Sequence, residues 1–159
     1  IAADSADYHP YWALAVFEQD DGKPGMALPL LERAYRLEQG DRELSIAYAK
    51  ALIEPQPALA AIVAARLMSR PDERAKVDAV SLYLEALGRA YGGDSVLAAG
   101  QRLFAEAPLP TTAFYVGSAH EVRGERAAAV ASYRAGLGLA SRDSVGAARL
   151  RERLDALSR

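Results

Sequence analysis

An all-α fold, a solenoid of helix hairpins in one domain, is what three features of this sequence predict. Hydrophobic residues make up 51% of the 159 positions, and much of that share is alanine, which favours helices packed close together. Alternating runs of strand formers are absent. Within Phe114–Ala140 the pattern reads as helix, turn and helix, with Gly124 as the flexible turn residue. That pattern recurs. Ala15 to Ala49 and Ala27 to Ala61 are each 34 residues apart, and Ala49 to Gly117 and Ala61 to Ala129 are each 68, twice that period. A fixed period of this size marks a stacked array of helical units. The length suffices for one domain with a real core and is short for two.

Each element can be justified in turn. Ile1–Tyr8 is small and acidic, with Asp4, Ser5 and Asp7, and reads as a loose lead-in. Pro10 suits the first turn of a helix, where its missing N–H costs nothing, and Tyr11, Trp12, Leu14, Ala15 and Phe17 carry an apolar face to about Asp20. Asp21-Gly22-Lys23-Pro24-Gly25 is a dense turn signal. Met26–Glu38 is the second helix, buried through Leu30, Leu31, Ala34, Tyr35 and Leu37, with Pro29 kinking or delaying its start. Gly40 ends it. Asp41 caps the next helix, Asp41–Ile53, whose Leu44, Ala47, Tyr48 and Leu52 repeat the first-helix pattern.

Glu54-Pro55-Gln56-Pro57 forces a stop, because residues before proline avoid the α region. Ala58–Met68 is the partner helix, built around Leu59, Ile62, Val63 and Leu67. Pro71 and Asp72 open a longer helix to Tyr91, Gly92-Gly93 breaks it, and Asp94 or Ser95 caps a short helix through Val96, Ala99, Leu103 and Phe104. Pro108-Leu109-Pro110 leads into Thr111–Arg123 and Glu125–Ala140. In that pair Gly117 leaves a place without a side chain, Ala129 offers a small contact surface, and Tyr133 fills space on the same face. Ser141 or Asp143 caps a last helix reaching about Leu157.

Small residues at matching places on both helices, with an aromatic such as Tyr133 late in the second, resemble the tetratricopeptide repeat. The resemblance spans Tyr8–Ala140. It implies antiparallel helix pairs wound into a right-handed superhelix, with repeats at about 8–41, 42–70, 71–109 and 110–141 and a solvating cap over 142–158. The third unit keeps the boundaries but not the markers: Leu87-Gly88 and Tyr91 look like the motif displaced by a few positions, followed by a shortened second helix. Gln39-Gly40 stands where the repeat's closing proline is usual. The Sel1-like repeat is the second family that this pattern resembles, mainly in the third unit.

Catalytic chemistry finds little footing. His9 and His120 are the only histidines. His120-Glu121 opens like a zinc-protease helix motif, but Gly124 stands where the second histidine belongs, so no metal or other cofactor is expected. Gly136-Leu137-Gly138 lies inside a helix with no strand before it, unlike a phosphate loop, and close helix packing explains it better. Asp20-Asp21 and Asp72-Glu73 read as solvated charge at helix ends. Without cysteine there is no disulfide, thiolate metal site or cysteine nucleophile.

The net charge of −2 divides as −4 over residues 1–80 and +2 over residues 81–159, which gives a nucleic-acid partner no global support. Arg142, Arg149, Arg151, Arg153 and Arg159 form a basic patch that could meet an anionic surface, although the solvated outer face of a cap is the expected reading, and no interleaved aromatics are there to stack single strands. No run of about 18 apolar residues exists to span a membrane. Lysine appears only as Lys23, Lys50 and Lys76, and this arginine preference with abundant alanine suggests a GC-rich bacterial genome. The opening at Ile1, with no methionine and no signal-peptide pattern, suggests a piece of a larger protein.

The resemblance implies that the first helix of each pair lines a concave groove. By position the groove residues are Trp12, Val16, Gln19, Ile46, Lys50, Phe114, Tyr115 and Ser118, more apolar and aromatic than cationic. Trp12 and Phe114 are expected to be exposed, with Ala13 and Ala113 serving the packing. The Lys/Asn/Arg set with which chaperone-binding members clamp a peptide's terminal carboxylate is not matched. The expected function is a non-catalytic scaffold for a protein or peptide partner. The expected setting is a bacterial envelope assembly or polysaccharide-export system, in the periplasm ahead of the cytoplasm. The alternatives are the regulatory repeat domain of a larger enzyme, and a self-associating module that forms homo-oligomers through its end faces.

Overall fold

A computed structural model describes residues 7–73 and 76–159, so the expected lead-in at Asp4 and Ser5 lies outside the described residues. Those residues form α1 (His9–Asp20), α2 (Pro24–Leu37), α3 (Arg42–Leu52), α4 (Pro57–Met68), α5 (Val77–Tyr91), α6 (Gly93–Glu106), α7 (Pro110–Val122), α8 (Arg126–Leu137) and α9 (Ser144–Leu157). No strand occurs among the described residues.

Local chemistry sets the hairpins. At the ends of α1 and α7 the same closure recurs: Lys23 N–H donates to the Glu18 carbonyl and Gly22 N–H to Gln19, while Glu125 N–H donates to His120 and Gly124 N–H to Glu121. Gly22 (φ 73°) and Gly124 (φ 74°) hold the left-handed residue that this closure requires, a conformation glycine adopts without strain. The second hairpin instead turns through Pro55, and Pro57 opens α4. Helix starts are capped by side chains at Asp41, which accepts from Leu44 N–H at 2.7 Å, and at Asp143, which accepts from Gly146 N–H at 2.8 Å.

Packing follows the period. Ala15, Ala27, Ala49, Ala61, Gly117 and Ala129 are all buried, letting helix backbones approach one another. The approach is closest at Gly117, where a Cβ would lie 2.5 Å from Tyr133 Cδ1 and 2.7 Å from Cζ. Gly136 is tight as well, since a Cβ there would meet Ala113 Cβ and Leu150 Cδ1 at 2.6 Å each. One apolar cluster runs from α1 to α6 and on to Ala119 of α7, and a second joins α7, α8 and α9 around Tyr133 and Leu150.

Each helix packs on the next in sequence, and α3 also touches α5, α5 touches α7, and α7 touches α9. The helices α2, α4, α6 and α8 make no comparable contacts with one another. Elements drawn together on one side and splayed on the other make a curved wall, with α3, α5, α7 and α9 on its inner side. The last helix therefore takes the place of a further first helix rather than lying outside the array.

Several boundaries differ from the expectations. Pro24 opens α2, so Pro29 lies inside the helix. The fifth helix starts at Val77, not Pro71, because Pro71–Glu73 forms a turn whose Glu73 is 1% exposed and bonded to Arg42 Nε at 2.9 and 3.0 Å. The helix after it is full length at 14 residues, and its N-cap is Gly92 with no side-chain cap, not Asp94 or Ser95. In this unit Ala79 and Ala86 are both fully buried small residues of α5, and neither stands at the 34-residue position. Ala49 to Ala86 is 37 residues and Ala86 to Gly117 is 31, so one unit's gain is the next unit's loss.

Candidate functional site

On the inner wall, Gly117 turns one side of α7 into the tight seat for Tyr133, and this orients the neighbouring aromatics. Phe114 stacks on Tyr133 at 6.5 Å between centroids and meets Tyr115 edge-on at 5.5 Å. Tyr115 reaches the other way, its hydroxyl 3.1 Å from Ser81 Oγ on α5. From α9, the Arg149 guanidinium stands 5.5 Å over the Phe114 ring. Both aromatics stay half-buried.

Three adjoining cavities follow these helices. The first, about 570 Å³, lies between α3, α5 and α9 and is bordered by Lys50, Val77, Ser81, Glu85, Val145 and Arg149. The second, about 550 Å³, shares Glu85 and Arg149 with it and adds Phe114 and Tyr115. The third, about 270 Å³, shares Glu85 and Tyr115 with the second and continues to Ser118 and Val122. Together they form a trough with one aromatic rim, on rigid helices.

Charge in the trough is mostly paired. Arg42 binds Asp78 through two hydrogen bonds of 2.8 and 2.7 Å. The Asp78 contacts are the main influence holding the Arg42 guanidinium above its ordinary range. Burial, the largest single influence, would raise the Asp78 carboxyl, but the hydrogen bonds from Arg42 and from the Ala79 N–H together with the Arg42 charge outweigh it and leave the carboxyl below the usual range. Lys76 meets Glu73 at 2.9 Å, and Arg89 meets Glu54 at 2.5 Å and Glu85 at 3.6 Å. At the far end, Glu121 accepts from Tyr133 and from Arg153. Those bonds outweigh the burial that works against its charge and hold its carboxyl low. Among the described residues, Lys50 and Arg149 have no carboxylate partner.

The expected groove residues separate into three groups. Lys50, Phe114, Tyr115 and Ser118 border the trough, with Ser118 Oγ also 3.3 Å from the Tyr133 hydroxyl. Trp12, Val16 and Gln19 border none of these three cavities. Val16 and Gln19 are exposed, while Trp12 is half-buried and stacks on Tyr8 at 6.0 Å. Ile46, at 6% exposure, is a core residue and offers no groove surface. Its side chain packs into the apolar cluster shared by α1 to α7, so register alone did not place it on the surface.

Sequence reasoning missed Ser81, Glu85 and Arg149. Ser81 was legible, since it stands one 34-residue period before Tyr115. The basic patch of the last helix is expected on a solvated or anion-facing outer surface, yet Arg149 lies on the Phe114 ring and Arg153 binds Glu121. His120, which begins like a zinc ligand, has Nδ1 2.6 Å from Glu125 Oε2, and no group of three His, Cys, Asp or Glu side chains suited to a metal occurs among the described residues.

This architecture is an α-solenoid of helix pairs of the tetratricopeptide-repeat type. Two crystal structures of MamA share it, each at 18% identity with a TM-score of 0.69. They match over 89% of this chain and 83% and 78% of their own. The thermophilic TPR protein TTC0263 of Thermus thermophilus is 20% identical with a TM-score of 0.60, over 84% of this chain and 74% of its own. No protein-family model and no curated protein matches the sequence. Among the described residues, no helix is long and apolar enough to cross a membrane.

Proposed function

We propose that this chain is a non-catalytic interaction scaffold that takes an extended peptide or a partner helix into its inner trough. The observation that carries this reading is the run of three adjoining cavities along α5 and α7, with half-buried Phe114 and Tyr115 on the rim. A wall made of packed helices does not have to order itself on binding, so less of the contact energy is lost. Aromatic anchors at the centre then supply most of the affinity. The setting we propose is a bacterial envelope assembly or polysaccharide-export system, on analogy with the fold; the arginine-rich, alanine-rich composition supports only its bacterial part, and recovery with the cytosol on cell fractionation counts against it.

The site itself is tested by selecting peptides from a display library on the folded chain and measuring their affinity by anisotropy. Tyr115→Ala should weaken the selected peptides by about tenfold or more, as for a central aromatic anchor. Ile62→Ala, on the exposed outer side of α4, should leave them unchanged. Equal effects of the two substitutions contradict the trough as the site.

A further inference from the structure

Resting on that reading, we propose that the occupant is an acidic, partly apolar chain segment, with its carboxylates held by Lys50 and Arg149 across the first cavity. The argument is one of unspent charge. Five ionisable side chains border that cavity: Lys50, Lys76, Asp78, Glu85 and Arg149. Three are already used: Asp78 by Arg42, Glu85 by Arg89, and Lys76 by Glu73. Lys50 on α3 and Arg149 on α9 face the same space from opposite sides, and neither meets a carboxylate among the described residues. Arg149 is held by an aromatic ring instead, which steadies the guanidinium and leaves its hydrogen-bonding edge open.

Beside these cations the lining is aliphatic, with Val77, Leu82 and a 63% exposed Val145. A segment that places an acidic residue next to an apolar one satisfies both. Glu152, on the edge of the second cavity, also lacks a carboxylate-binding partner and repels further negative charge there, so the preference for acid is confined to the first cavity. The net charge of −2 likewise disfavours a long polyanion, while two local cations accept one or two carboxylates. The last helix, α9, is thereby a binding element as well as a cap.

The test uses three fluorescein-labelled peptides of one length, with the repeating units Glu-Phe-Glu-Leu, Gln-Phe-Gln-Leu and Lys-Phe-Lys-Leu, and reads anisotropy on the whole chain. The acidic peptide should bind at least tenfold more tightly than the neutral one, and the basic one least. Lys50→Gln and Arg149→Gln should each weaken the acidic peptide about fivefold and leave the neutral one unchanged, and raising salt from about 20 to about 300 mM should erase most of the preference. Thermal melts confirm that these surface variants fold. If acidic and neutral peptides bind alike and only Tyr115→Ala weakens them, the trough stands and the charge assignment falls. If no peptide binds, or binding ignores Tyr115→Ala as well, both fall. Equally tight binding of a single-stranded oligonucleotide overturns the assignment to an acidic polypeptide.

Discussion

Replacing Gly117 with alanine adds one methyl group to a helix and, on helix propensity alone, should stabilise α7 by about 1 kcal/mol. The packing around it argues the reverse. The new Cβ would stand 2.7 Å from Tyr133 Cζ and nearer still to two other ring carbons, where carbon atoms ordinarily sit about 3.5–4.0 Å apart. The ring must therefore retreat by about 1 Å or more. It has little room: Tyr133 is 0% exposed, its hydroxyl is engaged by Glu121 and Ser118, and Phe114 stacks against it. Overpacking of this kind costs about 1–3 kcal/mol, and up to about 3–5 kcal/mol if the ring is expelled. Set against the propensity gain of about 1 kcal/mol, the net expectation is a loss of up to about 2 kcal/mol, or about 2–4 kcal/mol if the ring is expelled, read as a fall in the thermal midpoint by circular dichroism. Gly25→Ala is the control, since its Cβ would meet nothing within 4 Å. Pairing Gly117→Ala with Tyr133→Leu should recover about 1 kcal/mol of the combined loss, because the clash is gone. A higher midpoint for Gly117→Ala alone would refute the reasoning.

Two further predictions concern the second half of the array. Asp143 is buried and accepts from Thr111 N–H at 2.8 Å, Thr111 Oγ1 at 2.6 Å and Gly146 N–H, so it caps α9 and holds the first turn of α7. Asp143→Ala should cost about 2–4 kcal/mol in urea unfolding and speed hydrogen exchange at Thr111 and Gly146; a loss under about 0.5 kcal/mol contradicts the double role. Glu121 has a carboxyl held below its ordinary value of 4.5 by Arg153 and Tyr133, against the burial that opposes its charge. Its contribution is therefore fully present above that ordinary value and lost as pH falls through the lowered one. Glu121→Gln should melt below the wild type at pH 7, and the gap should close in acid; a gap independent of pH sinks the assignment.

The period was legible because its markers are packing residues: Ala15, Ala49 and Gly117 must be small wherever two helices cross closely. The slip in the third unit was not, since Ala79 and Ala86 are two alanines among many and only the fold shows that both are buried in α5. The start of α5 was misread because Pro71-Asp72 looks like a helix opening, while the buried Glu73–Arg42 pair that pins those residues as a turn joins positions 31 apart. Register places Phe114 and Tyr115 on the inner side, and both border the trough. Ile46 was chosen by that register too, but the contact of α3 with its neighbours buries it. Arg149 was missed for a topological reason, as nothing in a sequence of arginines says that the last helix packs on α7.

The claim beneath all of this is that partners enter the side where α3, α5, α7 and α9 converge. Amide chemical-shift mapping of the labelled chain, titrated with a display-selected peptide, tests it most directly. The account predicts that the perturbed amides gather at Ser81, Glu85, Tyr115 and Arg149. Perturbations gathered instead around Ile62 and the outer faces of α4 and α6 would contradict it.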